Sequence, residues 1–295
     1  MIRRVLLVLV RVAARAARRV SLVLGRAEWA LMRPEAAARA SRAELGAAMA
    51  AHDMVDDPDE AYYRDRYWEW IEPRLPASGV VLDAGCGSGR LSVPVARRGL
   101  RVVGVDFLGE SIERARRHAS QAGVADVEFV EADLLEYLRR RPDDSFDAAL
   151  FIEAGFVIPQ LEDTLRELAR VLKPASLLLA SLRTQWYLAL YAARERDWAT
   201  AELVMSERGG ALPGLGWQNW HTRADLADLL ERTGFTVTAC QGIGPASGIE
   251  GDPMDQIARP SQLSQADREG LARLENALGA AQPDAGRYVL FEARA

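Results

Sequence analysis

From residue 80 onward, short apolar runs alternate with longer stretches in which apolar positions recur every three or four residues. The short runs predict strands at Val80–Ala84, Arg101–Asp106, Val127–Glu131, Phe146–Ile152 and 176–182. The intervening stretches predict a helix starting near Gly89, one over 110–121, and one over 161–172 that stops at Lys173-Pro174. Strands separated by helices of this length predict a parallel, doubly wound α/β sheet. Residues 184–220 break the rhythm, and a helix (223–233), a strand (235–240), a helix near 262–278 and a last strand (287–293) follow. Upstream, residues 1–25 are apolar but punctured by Arg4, Arg11, Arg15 and Arg18, which recur along one helical stripe. No window of about 18 uncharged apolar residues exists there, so a membrane span is not expected. The acidic patch 53–60 reads as a break, and a short helix after it ends at Pro73 and Pro76. The expected organisation is an N-terminal helical extension over 1–75 and one domain over 76–295, with 184–220 as a helical lid insertion.

Composition changes the picture in two ways. The two cysteines, Cys86 and Cys240, give no disulfide framework, which suits a reducing, cytoplasmic setting. Charge is uneven: residues 1–42 hold ten arginines against Glu28 and Glu35, a balance of +8, so a total of −5 leaves −13 on residues 43–295. A domain that acidic is a poor match for a phosphate backbone, which argues against nucleic-acid partners.

The stretch Val81-Leu82-Asp83-Ala84-Gly85-Cys86-Gly87-Ser88-Gly89-Arg90-Leu91 sits where the first strand turns into the first helix, the ligand-binding end of a parallel sheet. Gly85, Gly87 and Gly89 let the backbone turn tightly and approach a ligand. Its spacing is G-x-G-x-G, with Arg90 where the dinucleotide pattern G-x-G-x-x-G needs glycine. Asp83, just inside the loop, would repel a pyrophosphate but suit an ammonium group. Both details favour S-adenosylmethionine over a dinucleotide.

The stretch from about 80 to 182 resembles the class I (Rossmann-like) S-adenosylmethionine-dependent methyltransferases, notably the broad group around quinone-biosynthesis methyltransferases. The resemblance implies a seven-stranded, mostly parallel sheet with the last strand antiparallel. It also implies that the glycine loop, Gly85 to Gly89 with Cys86, holds the methionine end of the cofactor. Val103-Gly104-Val105-Asp106 matches the end of the second strand, so Asp106 accepts from the ribose hydroxyls and Phe107 packs on the adenine. Glu131-Ala132-Asp133-Leu134 matches the third-strand motif, with Asp133 taking the adenine amino group and Leu134 beside it. Ile152 closes the fourth strand at the cofactor, and the helix holding Tyr62-Tyr63 matches the family's pre-domain helix, with Tyr63 as its cofactor contact. Two departures stand out. Ala175 and Ser176 replace two glycines usual after the Lys-Pro turn, and Glu153-Ala154-Gly155-Phe156-Val157 keeps only the first glutamate of the family's E-V-L-E-H. No metal is expected, and the pocket is expected to be apolar at this point.

On the acceptor side, His221 at the mouth of a helix and Glu153 are the two candidates for a general base, each with a purely local alternative: His221 beside the Thr222 helix cap, Glu153 anchoring its loop. His52 and His118 read as solvated. Trp186, Tyr187, Tyr191, Trp198, Trp217 and Trp220 read either as a small helical core or as an aromatic lid over the acceptor. The expected function is methylation of a hydrophobic or aromatic small molecule. Two alternatives stand beside it: a lipid or isoprenoid methyltransferase recruited to membranes by the basic segment, and a cofactor-binding scaffold without turnover. For the basic segment itself, docking on an acidic domain of its own or a second subunit, giving a homo-oligomer, competes with peripheral membrane contact and with disorder.

Overall fold

The computed structural model describes residue 55 and residues 57–212 and 215–295. The basic segment 1–42, its docking or membrane contact, and His52 lie outside the described residues. The first element is α1 (Pro58–Ile71), whose Asp57 cap accepts from the backbone N–H of Asp59 and Glu60 at 2.9 and 3.0 Å. A 3-10 turn over Glu72–Arg74 ends it, as the prolines foretold.

The central sheet follows the hydrophobic runs closely. Its strands are β1 (Val80–Ala84), β2 (Arg101–Asp106), β3 (Val127–Glu131), β4 (Phe146–Ile152), β5 (Leu172–Arg183), β8 (Thr236–Ile243) and β9 (Tyr288–Arg294), in the order β3-β2-β1-β4-β5-β9-β8. Crossovers α2 (Ser92–Arg97), α3 (Gly109–Gln121), α4 (Leu134–Arg139) and α5 (Leu161–Val171) keep the first five strands parallel. β9 runs antiparallel to both β5 and β8. Helices cover both faces, so β1 and β4 bury nearly every side chain, and Val81, Leu82, Leu150 and Phe151 are fully shielded.

Three boundaries differ from the expectation. The helix after the glycine loop starts at Ser92, not Gly89, and has only six residues. β5 starts at Leu172, so Lys173-Pro174-Ala175 belongs to the strand, and Ala175 takes a φ of +63° that glycine would adopt at no steric cost. The late elements extend further along the chain, with α9 over Gln265–Ala281.

Between β5 and α8 (Arg223–Arg232) lie α6 (Gln185–Arg194), α7 (Trp198–Ser206) and the hairpin β6 (Gly209–Leu212)–β7 (Gly216–Asn219). Its aromatic residues divide. Trp220 is fully buried with Tyr187, Leu188, Val204 and Leu212, and its indole N–H donates to the carbonyls of Val204 and Glu207. Trp186 and Trp198 are 51% and 62% exposed.

Candidate functional site

A cleft of about 250 Å³ opens at the C-terminal ends of β1, β2 and β4, where a doubly wound sheet binds ligands, and runs to the end of β5 and the start of β9. Its first half is the glycine loop. The N–H groups of Gly85 and Cys86 both donate to the Val105 carbonyl, at 2.8 and 3.0 Å, which pins the loop to the end of β2. Gly85 has a φ of +84°, and a Cβ there would fall 2.4 Å from the Ala154 Cβ. No other residue fits this close approach of β1 to the loop after β4.

Asp106 fixes the same loop from the other side. One carboxylate oxygen accepts from the Gly87 N–H and the other from the Leu108 N–H, both at 2.9 Å. Asp83 is buried beneath the loop and accepts from the Ser92 hydroxyl at 2.5 Å. Burial pushes its carboxyl up to about 6, against the opposing pull of Ser92 and Arg90. Asp83 lines the cleft, so an ammonium group bound there would meet a carboxylate already shielded from water. Asp133 caps α4 by accepting from the Glu136 N–H at 3.2 Å and lines the cleft with Phe107, Leu134 and Ile152. Of the sequence-derived cofactor residues, the structure gathers Asp83, Gly85, Cys86, Gly87, Asp106, Phe107, Asp133, Leu134 and Ile152 into the lining. Gly89 turns the chain just behind it, with a φ of +80°. The Cys86 thiol is pushed far up by burial, so its part here is the backbone.

Tyr63 stands elsewhere. It is buried, its hydroxyl bonds to the Ser247 carbonyl and hydroxyl, and it is not part of the cleft lining. α1 reaches the cleft through other residues. Arg90 forms ion pairs with Glu60 of α1 at 3.3 Å and Glu153 at 3.1 Å, with the Tyr67 ring 5.8 Å from its guanidinium. Glu153 has a φ of +54°, held by its N–H donating to the Ser181 hydroxyl at 2.9 Å and by the ion pair. Arg90, and more weakly Arg287, outweigh burial and hold the Glu153 carboxyl below its usual range. A carboxylate so strongly kept ionised is a weak proton acceptor.

His221 also lies outside the cleft lining. Its N–H donates to the Arg183 carbonyl, its own carbonyl accepts from the Gln185 N–H, and the neighbouring Thr222 and Asp225 form a reciprocal capping box. Burial pushes the imidazole down to about 4, and its buried Nε2 has no hydrogen-bond partner among the described residues. His118, expected in solvent, instead places Nδ1 2.9 Å from the Ser88 carbonyl and buttresses the glycine loop. None of the aromatic residues of 184–220 lines the cleft; its rings come from Phe107, Phe156 and Tyr288. Arg183 and Arg287 line it too, which makes the far end cationic and aromatic rather than simply apolar. Sequence reasoning passed over Glu60, Tyr67, Arg90, Arg183 and Arg287. The one signal for the last two was a charged residue at the very end of an apolar strand on the ligand-binding edge.

Comparison with known proteins agrees with this geometry. Residues 81–175 match the family model described as a methyltransferase domain. A ubiquinone biosynthesis O-methyltransferase of Paracidovorax citrulli is 35% identical over 106 residues, covering 36% of this chain and 44% of the relative. A 24-methylenesterol C-methyltransferase 2 of Arabidopsis thaliana is 33% identical over 159 residues, covering 53% and 41%, and the methyltransferase phqN of Penicillium fellutanum is 30% identical over 189, covering 62% and 52%. The chain thus spans about half the length of the curated relatives it matches. In structure it is similar to a Burkholderia thailandensis 1,6-didemethyltoxoflavin N1-methyltransferase, with a TM-score of 0.57, 20% identity and coverage of 90% and 91%. It is also similar to a 4+2 cyclase, SpnF, with a TM-score of 0.52, 21% identity and coverage of 78% and 80%. At such identities these two likenesses show the fold alone. Residues 81–175 thus form a methyltransferase domain, and the chain has the fold of the S-adenosylmethionine-dependent methyltransferases, whose cofactor this glycine loop and these carboxylates fit.

Proposed function

We propose that this chain transfers a methyl group from S-adenosylmethionine to a small molecule with an aromatic or apolar body, bound over the ends of β4 and β5. The observation that carries it is one continuous cleft with Asp83 and Asp106 under the glycine loop at one end and Phe156 and Tyr288 at the other. When bound, the cofactor supplies an electrophilic methyl on a sulfonium, which needs alignment more than acid–base help when the acceptor is already nucleophilic. Asp83 would receive the ammonium group, Asp106 the ribose hydroxyls, and Asp133 the adenine edge. Phe156, Val157 and Ile158 line the cleft after β4 and would help exclude water.

Neither proposed base is well placed to take a proton: Glu153 is held ionised by Arg90, and His221 is packed away from the lining. The reading is therefore catalysis by positioning, in a reducing, cytoplasmic setting, with acceptors that ionise or attack unaided. The test is S-adenosylhomocysteine release with a library of phenolic, amine and lipid acceptors. Turnover with a soluble aromatic acceptor is expected. Turnover only with vesicle-borne lipids would move the reading to a lipid methyltransferase. Cofactor binding with no release from any acceptor would leave a scaffold.

A further inference from the structure

Arg183 ends β5 and Arg287 directly precedes β9, and because β9 runs antiparallel the two arrive at the same sheet edge, with Arg183 paired in register to Tyr288. Both line the cleft. The Arg183 guanidinium lies over the rings of Phe156, Tyr288 and Tyr187, at 4.4, 5.0 and 5.3 Å. Arg287 shares two of those rings, with Tyr187 at 5.4 Å and Tyr288 at 5.7 Å, so the two positive charges sit close enough to repel.

Their counter-charges are unequal. Arg287 has the Asp252 carboxylate at 2.9 Å. Arg183 has no carboxylate within ion-pair distance among the described residues, although the residue is only 6% exposed. Its Nη1 donates to the Gln218 side-chain carbonyl at 3.3 Å and its Nη2 to the Tyr288 hydroxyl, while Nε of Arg183 and Nε of Arg287 have no acceptor among the described residues. Glu153, the carboxylate that shares the cleft, is committed to Arg90 at 3.1 Å. A buried guanidinium is costly unless an oxyanion meets it, and ring faces offset the charge without accepting its N–H groups.

We propose that the methyl acceptor carries an anionic oxygen group, a carboxylate or a phosphate, bound by Arg183 with Arg287 beside it, its apolar body lying against Phe156 and Tyr288. The proposal rests on the methyl-transfer reading and narrows its substrate class. It also supplies a specificity device: a neutral analogue that reached this end would leave Arg183 buried and uncompensated, so the site rejects it. The planar fork of Arg183 suits a two-oxygen group better than a lysine ammonium would.

The test uses the full chain saturated with S-adenosylhomocysteine and titrated with benzoate, phenylphosphonate and benzamide at constant ionic strength. At least one anionic probe should bind about tenfold or more tighter than benzamide, as a charge-assisted contact demands. Whichever of the two anions binds better names the group. Arg183→Met should remove that preference and leave S-adenosylhomocysteine affinity intact. Equal binding, or no binding, of anionic and neutral probes by the wild type overturns the proposal whatever the variant does to folding. An anion preference that survives in folded Arg183→Met also overturns it. A wild type that binds no S-adenosylhomocysteine strikes instead at the cofactor reading beneath.

Discussion

The two ends of the cleft are assembled differently. The glycine-loop end draws Asp83, Gly85, Cys86, Gly87, Ser88, Arg90 and Leu91 from nine consecutive positions, and Val105, Asp106, Phe107 and Leu108 from the next strand end. The far end draws Phe156, Arg183 and Arg287 from three segments scattered over 132 positions, from 156 to 287. At the first end, where the proposed reading gives recognition to backbone N–H groups and fixed carboxylates, the loop is already pinned by the Val105 carbonyl and Asp106. At the second, long side chains stack in a ring cluster whose charges do not close on themselves. A cofactor common to many reactions calls for a preorganised backbone cradle. An acceptor particular to one reaction is read by side chains that the scaffold leaves adjustable.

Arg90 ties the glycine loop to α1 and to the segment after β4, and removing it should produce the largest effect. It bridges Glu60 on α1 and Glu153 after β4, all three largely shielded from solvent. Arg90→Met removes the cation that bridges these two buried carboxylates, and a loss of about 3–5 kcal/mol in unfolding free energy is expected. Arg183→Met strands no carboxylate and should cost clearly less. Denaturant titrations of the two variants at pH 7 measure this directly. Equal losses would mean that the far end depends on its arginine as a structural pin, and the contrast between the ends would fail.

Asp106→Ala should act more weakly on stability and strongly on affinity. It frees the Gly87 and Leu108 N–H groups and, on the proposed reading, removes the acceptor for the ribose hydroxyls. A charge-assisted hydrogen bond contributes about 1.5–3 kcal/mol, so cofactor affinity should fall roughly ten- to a hundredfold. Anion-probe binding at the far end should stay unchanged. Calorimetry on a variant with an unaltered circular-dichroism spectrum tests both halves of that statement, and an unchanged cofactor affinity would remove Asp106 from the site.

The same contrast explains what could be read from the sequence. Strand runs and the ordered motifs from Asp83 to Asp133 were legible because each is local: a short apolar run, a glycine loop, a carboxylate at a strand end. Even the departure at Ala175 was visible, and the structure gives its physical form, a left-handed alanine in the exposed first part of β5. Tyr63 was matched to the cofactor from its place in a helix, but its direction depends on Ser247, 184 positions away. Arg183 and Arg287 meet only because β9 inserts antiparallel beside β5, a pairing across about a hundred residues that no periodicity reports. The tryptophan-rich insertion was equally ambiguous, since density of rings cannot say whether they pack on each other, as Trp220 does, or on a ligand.

The last prediction turns on Asp83 and separates the ends by pH. Its carboxyl is raised from 3.8 to about 6, chiefly by burial, so the folded protein holds a proton that the unfolded chain has already released. The sign follows: with no ligand bound, Asp83 makes the protein lose stability as pH rises from about 4 through 6, and above that range the full cost of an ionised buried carboxylate is present. An ammonium group at this position replaces the proton and reverses the trend for binding. S-adenosylmethionine affinity should therefore rise with pH and level off above about 6, being about tenfold weaker at pH 5 than at pH 7 because only a tenth or so of Asp83 is then ionised. Asp83→Asn should bind weakly at every pH and lose the slope. A carboxylate probe at the far end, held by arginines that stay charged throughout this range, should show no such dependence once the probe itself is ionised. Calorimetric titrations of both ligands across pH 5–8 decide it: a flat cofactor profile in the wild type would mean that Asp83 is not the ammonium partner, and parallel slopes for the two ligands would mean that the ends titrate as one.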